Sequence, residues 1–532
     1  MKTTLPIFRS SLLLFSLATF GLLSAPLLMA QRAVSFPPAE SKPPPAAKAP
    51  PKTQSSGEET DILPDAGPAM RKTQERSPPP PTNLTIMYKV QYGEKLQYTH
   101  PDGTVQTFDQ WQSYPNDAAN IVSYTNQRLA DGMNYQYATK PLESPGFDPV
   151  DIPILYMTGD YEFALTEAEV VNLRKFLLDG GTIIFNAARG KDEFNISVMR
   201  EMKKVFPQKD FMRVPLDHPI FNAKYRLQQV TTQVNGVQFT QPPEAYSIDI
   251  GTRAAIILVP SGLGTAWSGT PYNPAGKHIM GETAIRLGVN MIAYVLGSTE
   301  YGRFLAQQFP MYQDKTRAGG DMFRYAIVKY SGSWDVNPGL QNSMLMGLHD
   351  NTKIDVDYKP NIVSLDDPDL GNYPLIFMTG HYEFELTPKE VEGLSRYLQK
   401  GGTLVASAAA GLKPFDDAFR REIQKVIPAI PQGDKSMVKN SLIKIPPTHP
   451  IFSGGWNPIN EVTYTASALK DNQELKHPEF FGLFLEDRLA VLYTPYDINS
   501  GLNRESNAYS KGVDSDDALR LSINIITYTL SH

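Results

Sequence analysis

The sequence contains no cysteine. That excludes disulfides, thiolate metal sites, a cysteine nucleophile and acylation at an N-terminal cysteine, and it fits a chain exported into an oxidising space. A basic excess is also missing. Fifty Lys and Arg face 56 Asp and Glu, for a formal net charge of −6, so nothing in the charge balance recommends nucleic acid, which wants a basic face, and no nucleic-acid partner is expected. Histidine is scarce, at 8 of 532 residues. No histidine pair recurs at metal-ligand spacing, so neither a metal nor a cofactor is expected. Long apolar runs are confined to the N-terminus, and no later segment is apolar enough to cross a membrane.

The N-terminus reads as a secretory signal. Lys2 and Arg9 precede an apolar run from Ser11 to Leu23, and Ala30 is placed to precede cleavage, with Gln31 starting the mature chain. Residues 1–30 are therefore expected to be a signal peptide and the protein periplasmic or secreted. The alternative is an uncleaved signal, in which case residues 12–30 form an inner-membrane anchor. Residues 31–82 are rich in proline and poor in apolar residues. Such a segment cannot offset its ordering entropy by burial and is expected to be a disordered linker.

Beyond the linker the chain repeats itself. Met157–Thr182 and Met378–Thr403 are identical at fifteen of twenty-six positions, the mark of a duplicated domain. The boundaries drawn are 83–310 and 321–532, joined by a bridge short enough that the copies should touch. In each copy a continuous apolar run (Ile152–Met157; Tyr373–Met378) reads as a strand covered on both faces. A capping box follows (Thr166 with Glu169; Thr387 with Glu390), then an apolar helix face and a glycine stop (Gly180; Gly401). A second buried strand succeeds it (Thr182–Phe185 in the first copy). Strand, helix, strand in this order is the unit of a parallel sheet. Lys353–Tyr358 is read as a further strand of the second copy, and the glycine-rich stretch Gly262–Gly269 as a flexible loop, a candidate lid.

These residues resemble a known family. Phe323–Trp334 (FRYAIVKYSGSW), Asp369-Leu370, the run YPLIFMTGH, the box LTPKEVEGL, the Gly401-Gly402 turn, FDDAFRREIQKVIP and the His-Pro-Ile-Phe motif are similar to the bacterial domain of unknown function DUF4159. The resemblance covers the second copy throughout and the first best over Ile152–Phe221. It implies a class I glutamine amidotransferase-like fold: two tandem flavodoxin-like three-layer α/β domains with mainly parallel sheets. It implies no reaction. In amidotransferases of that fold a cysteine nucleophile sits on a sharp turn after a buried strand. The matching places are Asn186–Gly190, without an attacking side chain, and Ser407–Gly411, where Ser407 reads as a strand end.

Ligands of open α/β sheets sit beyond the carboxyl ends of the strands. The candidate ligand-binding residues are therefore Thr158, Asp160, Tyr161 and Glu162 in the first copy and Thr379, His381, Tyr382 and Glu383 in the second, with the paired histidines His218 and His449. The bland reading stands beside this one. The glycines shape turns, the aromatic residues pack, the glutamates complement a helix start, and His-Pro fixes an extended turn. The difference between Asp160 and His381 argues against one chemistry shared by both copies. The expectation is an exported, non-catalytic binding or scaffold protein of the cell envelope, taking an envelope protein or a small polar ligand. Two alternatives remain: a hydrolase of carbohydrate or peptide material using Glu162 or Glu383 with a histidine, and a purely structural repeat whose strand-end loops are packed shut.

Overall fold

A computed structural model of the chain describes residues 82–271, 275–306, 322–337, 339–359, 361–426, 442–453, 457–485, 487–503 and 507–532. The expected signal, all but the last residue of the linker, and the bridge at 307–321 lie outside them. Two compact units are distinguished; one contains Thr99–Gln106, and the other holds residues 76–98 and 107–532 and therefore both copies.

In the first copy the strands are β1 (Thr82–Gln91), β2 (Leu96–Thr99), β3 (Val105–Phe108), β4 (Met133–Pro141), β5 (Ile154–Gly159), β6 (Thr182–Ala187), β7 (Met212–Arg213), β8 (Val230–Val234), β9 (Val237–Gln241), β10 (Tyr246–Ile250), β11 (Arg253–Val259) and β12 (Lys277–Ile279). Its helices are α1 (Asp117–Leu129), α2 (Glu167–Leu178), α3 (Asp192–Val205), α4 (Pro219–Asn222), α5 (Gly264–Ser268), α6 (Gly281–Gly297) and α7 (Thr299–Ala306). Seven strands form the main sheet in the order β4-β1-β5-β6-β11-β10-β7. The first five run parallel, and β10 and β7 close one edge antiparallel.

The second copy has β13 (Tyr325–Lys329), β14 (Ile362–Ser364), β15 (Leu375–Gly380), β16 (Thr403–Ala408), β17 (Ile443–Lys444), β18 (Phe481–Leu485) and β19 (Arg488–Thr494). Its helices are α8 (Leu340–Asn351), α9 (Pro388–Gln399), α10 (Lys413–Val426), α11 (Pro450–Ser453), α12 (Ala466–Asp471), α13 (Asn499–Leu502) and α14 (Ser515–Ser531). The sheet order is β14-β13-β15-β16-β19-β18-β17, the same topology position for position, again with five parallel strands followed by two antiparallel pairings. The chain is thus two tandem flavodoxin-like three-layer α/β domains.

The continuous apolar runs are explained by coverage on both faces. Ile154 and Tyr156 of β5 point into the core beneath α1 and α6, while Leu155 and Met157 point into the one beneath α2 and α3. The second copy splits Ile376 and Met378 from Leu375 and Phe377 in the same way. Both capping boxes form, with Thr166 and Thr387 accepting from the amides of Glu169 and Glu390 while those glutamates accept from the cap amides. Gly180 and Gly401 take φ of +106° and +101°, which a residue with a Cβ adopts only with strain.

Two expectations fail. Lys353–Tyr358 forms no strand, making only an isolated bridge from Val356 to Phe323, and the edge place is taken by β14. Ile354, Val356 and Tyr358 pack on the core of the second copy, but the segment meets the chain ahead of β13 at that single bridge. Gly262–Gly269 is no open loop. It forms the short helix α5, whose Trp267 is buried and donates its indole N–H to the Ala284 carbonyl at 2.9 Å. The run of small residues is there because that turn is packed: a Cβ on Gly264 would overlap the Tyr114 ring.

The copies touch along several elements. Lys209 pairs with Asp335 at 2.6 Å, the Lys413 amide donates to Asp217 at 3.0 Å, and the Tyr509 hydroxyl donates to the Ala293 carbonyl at 2.9 Å. Among the described residues no helix is long and apolar enough to cross a membrane.

Candidate functional site

The loops after β5 and β15 share one support. The Tyr92 hydroxyl donates to the Thr158 carbonyl at 2.9 Å, and the Tyr330 hydroxyl to the Thr379 carbonyl at 2.9 Å. Further along, the carboxylates of Glu201 and Glu422, each almost wholly buried, accept from the amides of Leu165 and Leu386 at 3.0 and 2.9 Å. Burial pushes both carboxyls up, but hydrogen bonds from Lys204 and Lys425, helped by the backbone and by Arg200 and Arg421, outweigh it and hold them below the ordinary range. Glu162 and Glu383 belong to the same frame. They pair with Arg200 at 2.5 Å and Arg421 at 2.7 Å, with carboxylates about 70% exposed. Among the described residues neither pairs with a histidine; each tethers its loop to α3 or α10.

At the divergent position the loops part company. In the second copy His381 is fully buried, and its Nδ1 lies 3.0 Å from Asp249 Oδ2 of the first copy. Tyr382 donates its hydroxyl to the same carboxylate oxygen at 2.7 Å. Ser247 donates to Asp249 Oδ1 at 2.9 Å and meets the Tyr382 hydroxyl at 2.7 Å. Burial pushes the Asp249 carboxyl up, yet the bonds from His381 and Tyr382 prevail and hold it below the usual range. Burial and the Asp249 charge push the Tyr382 hydroxyl well up. The pieces come from both copies: Ser247 and Asp249 from β10, His381 and Tyr382 from the loop after β15.

In the first copy the corresponding Asp160 turns to its own neighbour. It accepts from the Arg189 amide at 3.1 Å and pairs with the guanidinium at 2.9 Å. Burial works against the charge on Arg189, but Asp160 outweighs it and the guanidinium is held above its ordinary value. Tyr161 is 44% exposed and its ring lies 6.2 Å from that of Phe108. The loop is held from behind by Gln110, whose side-chain oxygen accepts from the Tyr161 amide at 2.8 Å. Tyr114 closes the neighbouring strand end through its hydroxyl on Thr265 at 2.7 Å. Both residues belong to the segment inserted after β1.

The places matching an amidotransferase nucleophile are also occupied by structure. Asn186 bridges the Val259 and Ser261 carbonyls and the Leu263 amide. Ser407 is fully buried and receives the Asn499 amide group at 3.4 Å, which also reaches Thr379 Oγ1 at 3.3 Å. Asp497, fully buried, gathers the amides of Ala410, Asn499 and Ser500 and the Ser500 hydroxyl. It thereby stabilises Ala410 at φ +52°.

His218 and His449 are helix caps. Each accepts through Nδ1 from the amide two residues on, Ile220 at 3.1 Å and Ile451 at 3.2 Å, and the rings lie against Tyr294 of α6 and Tyr528 of α14. Burial pushes His218 down to about 3 despite the opposing charge of Asp249, and pushes His449 down as well. They therefore stay neutral, as acceptors must. His218 borders the Asp249–His381 pair, whereas His449 faces Phe484, which holds the place of Asp249 in the second copy.

An imidazole held by a carboxylate through Nδ1, with Nε2 lacking a hydrogen-bond partner among the described residues, is the arrangement of a general base. Complete burial separates it from any substrate. Among the described residues no group of three or more acidic or histidine side chains could hold a metal ion. Asp249 and Ser247 escaped the sequence reading. Their signal was present as two polar residues on one face of YSIDI where the sister strand FGLFL has Gly482 and Phe484.

No curated protein matches the chain. Among solved structures it is similar to the exo-β-1,4-mannosidase Op5Man5 from Opitutaceae bacterium strain TAV5, at 8% identity and a TM-score of 0.20. That match spans 36% of this chain and about a third (32%) of the mannosidase, a likeness too slight to carry an argument. The family described as domain of unknown function DUF4159 matches twice, over residues 95–296 and 324–530. With the same seven-strand order in both copies, the chain belongs to the DUF4159 family as a tandem pair.

Proposed function

We propose that this chain is an exported, non-catalytic scaffold or binding protein of the cell envelope, in which a proline-rich stalk carries two joined α/β domains. The observation that carries the reading is the burial of His381 and Tyr382 against Ser247 and Asp249. The strand-end loop where a sheet of this kind takes its ligand is, in the second copy, part of the joint between the domains. The acid–base groups that a hydrolase would present are engaged elsewhere: Glu383 with Arg421, His449 as a cap. Export rests on Lys2, Arg9 and the apolar run that follows. The first copy keeps a polar rim of Asp160, Arg189 and Tyr161, which suits a small polar ligand or a side chain of a partner protein.

The full chain tests this in two assays. A thermal-shift screen with inorganic phosphate, small carboxylates and sugars is expected to give a shift that Arg189→Ala removes, or else cross-linking in envelope extract is expected to give a reproducible partner. Failure of both would sink the binding reading. Turnover of a glycan or peptide that is lost in Glu383→Gln would overturn the non-catalytic one.

A further inference from the structure

The first copy carries a small second sheet, β12-β8-β9. Strand β8 turns into β9 through Asn235-Gly236, both with positive φ (48° and 86°), the two-residue turn that suits hairpin twist. The register pairs Val234 with Val237, Thr232 with Phe239 and Thr231 with Thr240. Residues flanking a two-residue turn exchange backbone hydrogen bonds, and the pattern alternates from there. Val237, Phe239 and Gln241 therefore bond to β8, while the N–H and C=O groups of Gln238 and Thr240 point away from it. The opposite strand agrees: the Thr231 carbonyl faces away from β9 and accepts from Met280 at 2.8 Å. Among the described residues no strand pairs with the outer edge of β9.

That edge lacks the protections edges usually carry. The sequence VQFTQ has no charge and no proline, and Val237 and Phe239 are 67% and 41% exposed. Natural sheets blunt such edges with lysine, proline or a covering element. Among its described residues the sister domain has no such strand. There Thr463 takes the place of Thr231, its carbonyl accepting from Asp514 at 2.8 Å, and the chain then enters α12, capped by Thr465.

We propose that β9 is a dimerisation edge, at which two copies of the chain associate by antiparallel β9–β9 pairing about a twofold axis at Phe239. This register is self-complementary. The free groups of Gln238 meet those of Thr240 in the second copy, and the reverse, which closes all four unpaired groups on each strand. The two Phe239 side chains come directly opposite one another, the arrangement in which aromatic cross-strand pairs contribute most. Because the strand is uncharged, like meets like without repulsion, and a twofold pair is the commonest closed assembly. A five-residue ribbon buries little area, so the dimer is weak and concentration-dependent. The proposal is independent of the scaffold reading.

Sedimentation velocity of the full chain is expected to show monomer passing to dimer as concentration rises to about 100 µM, the range of a small interface. Thr240→Pro removes an outward N–H without touching the ladder to β8, and Phe239→Lys sets two charges against each other. Each variant is expected to weaken association at least about tenfold while circular dichroism and melting stay those of the parent. In the unmodified chain, hydrogen exchange at the Gln238 and Thr240 amides is expected to slow as concentration rises, with Phe239 and Gln241 protected throughout. A monomer over the whole range, a dimer indifferent to both variants, or exchange at Gln238 independent of concentration would each overturn the proposal.

Discussion

The two copies were built from one plan, and in the loops after β5 and β15 they differ at two positions, of which Asp160 against His381 changes the partner. Where the second copy has His381, the first has Asp160; where the first has Arg189, the second has Ala410. The first copy answers its own charge locally, through an ion pair whose guanidinium is 24% exposed. The second sends its imidazole and the next tyrosine into its sister and meets a carboxylate there. A local pair near water is replaceable. A pair buried across a domain joint is not, because removing either partner leaves a polar group with neither water nor protein to bond.

That contrast can be broken from either side. Asp249→Ala is expected to be the most damaging change, costing about 3–5 kcal/mol in urea unfolding, since it strands His381, Tyr382 and Ser247 together. Asp160→Ala should cost about 1–2 kcal/mol, because water reaches Arg189. Equal losses would mean that burial across the joint does not distinguish the copies.

Acid should separate them next. The folded pKa of His218 is depressed to about 3 from 6.5, so its contribution is complete above pH 6.5 and falls as the pH drops towards 3, where the unfolded chain binds a proton that the folded one refuses. His449 acts in the same direction. Unfolding near pH 5 is expected to take up about one proton at His218, a slope of about 1.4 kcal/mol per pH unit. His218→Asn keeps a cap acceptor and should flatten that slope. An unchanged slope would refute the assignment.

A smaller effect tests what the copies still share. A Cβ on Gly159 or Gly380 would overlap the hydroxyl of Tyr92 or Tyr330 that supports the loop, and on Gly380 it would also crowd the Ser333 carbonyl. Alanine at either place should cost about 1–3 kcal/mol, more at 380 because a backbone atom cannot swing aside. The smallest effect is expected at Glu162→Ala and Glu383→Ala. These carboxylates are mostly exposed, and each change should cost less than about 1 kcal/mol, read as a melting shift of equal size in the two copies.

Much of this architecture was legible in the residues alone. Apolar runs flanked by a capping box and a glycine stop leave a chain few options, because each device acts within a few residues of itself. Repetition of the whole set made the tandem plan visible before any coordinate. Local pattern misled where burial was decided from a distance. Gly262–Gly269 looked free and is packed beneath Tyr114; KIDVDY alternated and found no sheet to join.

By itself the amino-acid order determined the duplication, the strand-and-helix unit, the parallel sheets and the absence of thiol chemistry. It left open which side chains would meet. Asp249 and His381 are 132 residues apart in the chain, and nothing near either announces the other. Only the docking of one sheet edge on the sister's loop brings them within 3.0 Å, and only exclusion of water there turns two ordinary polar residues into the contact that joins the domains.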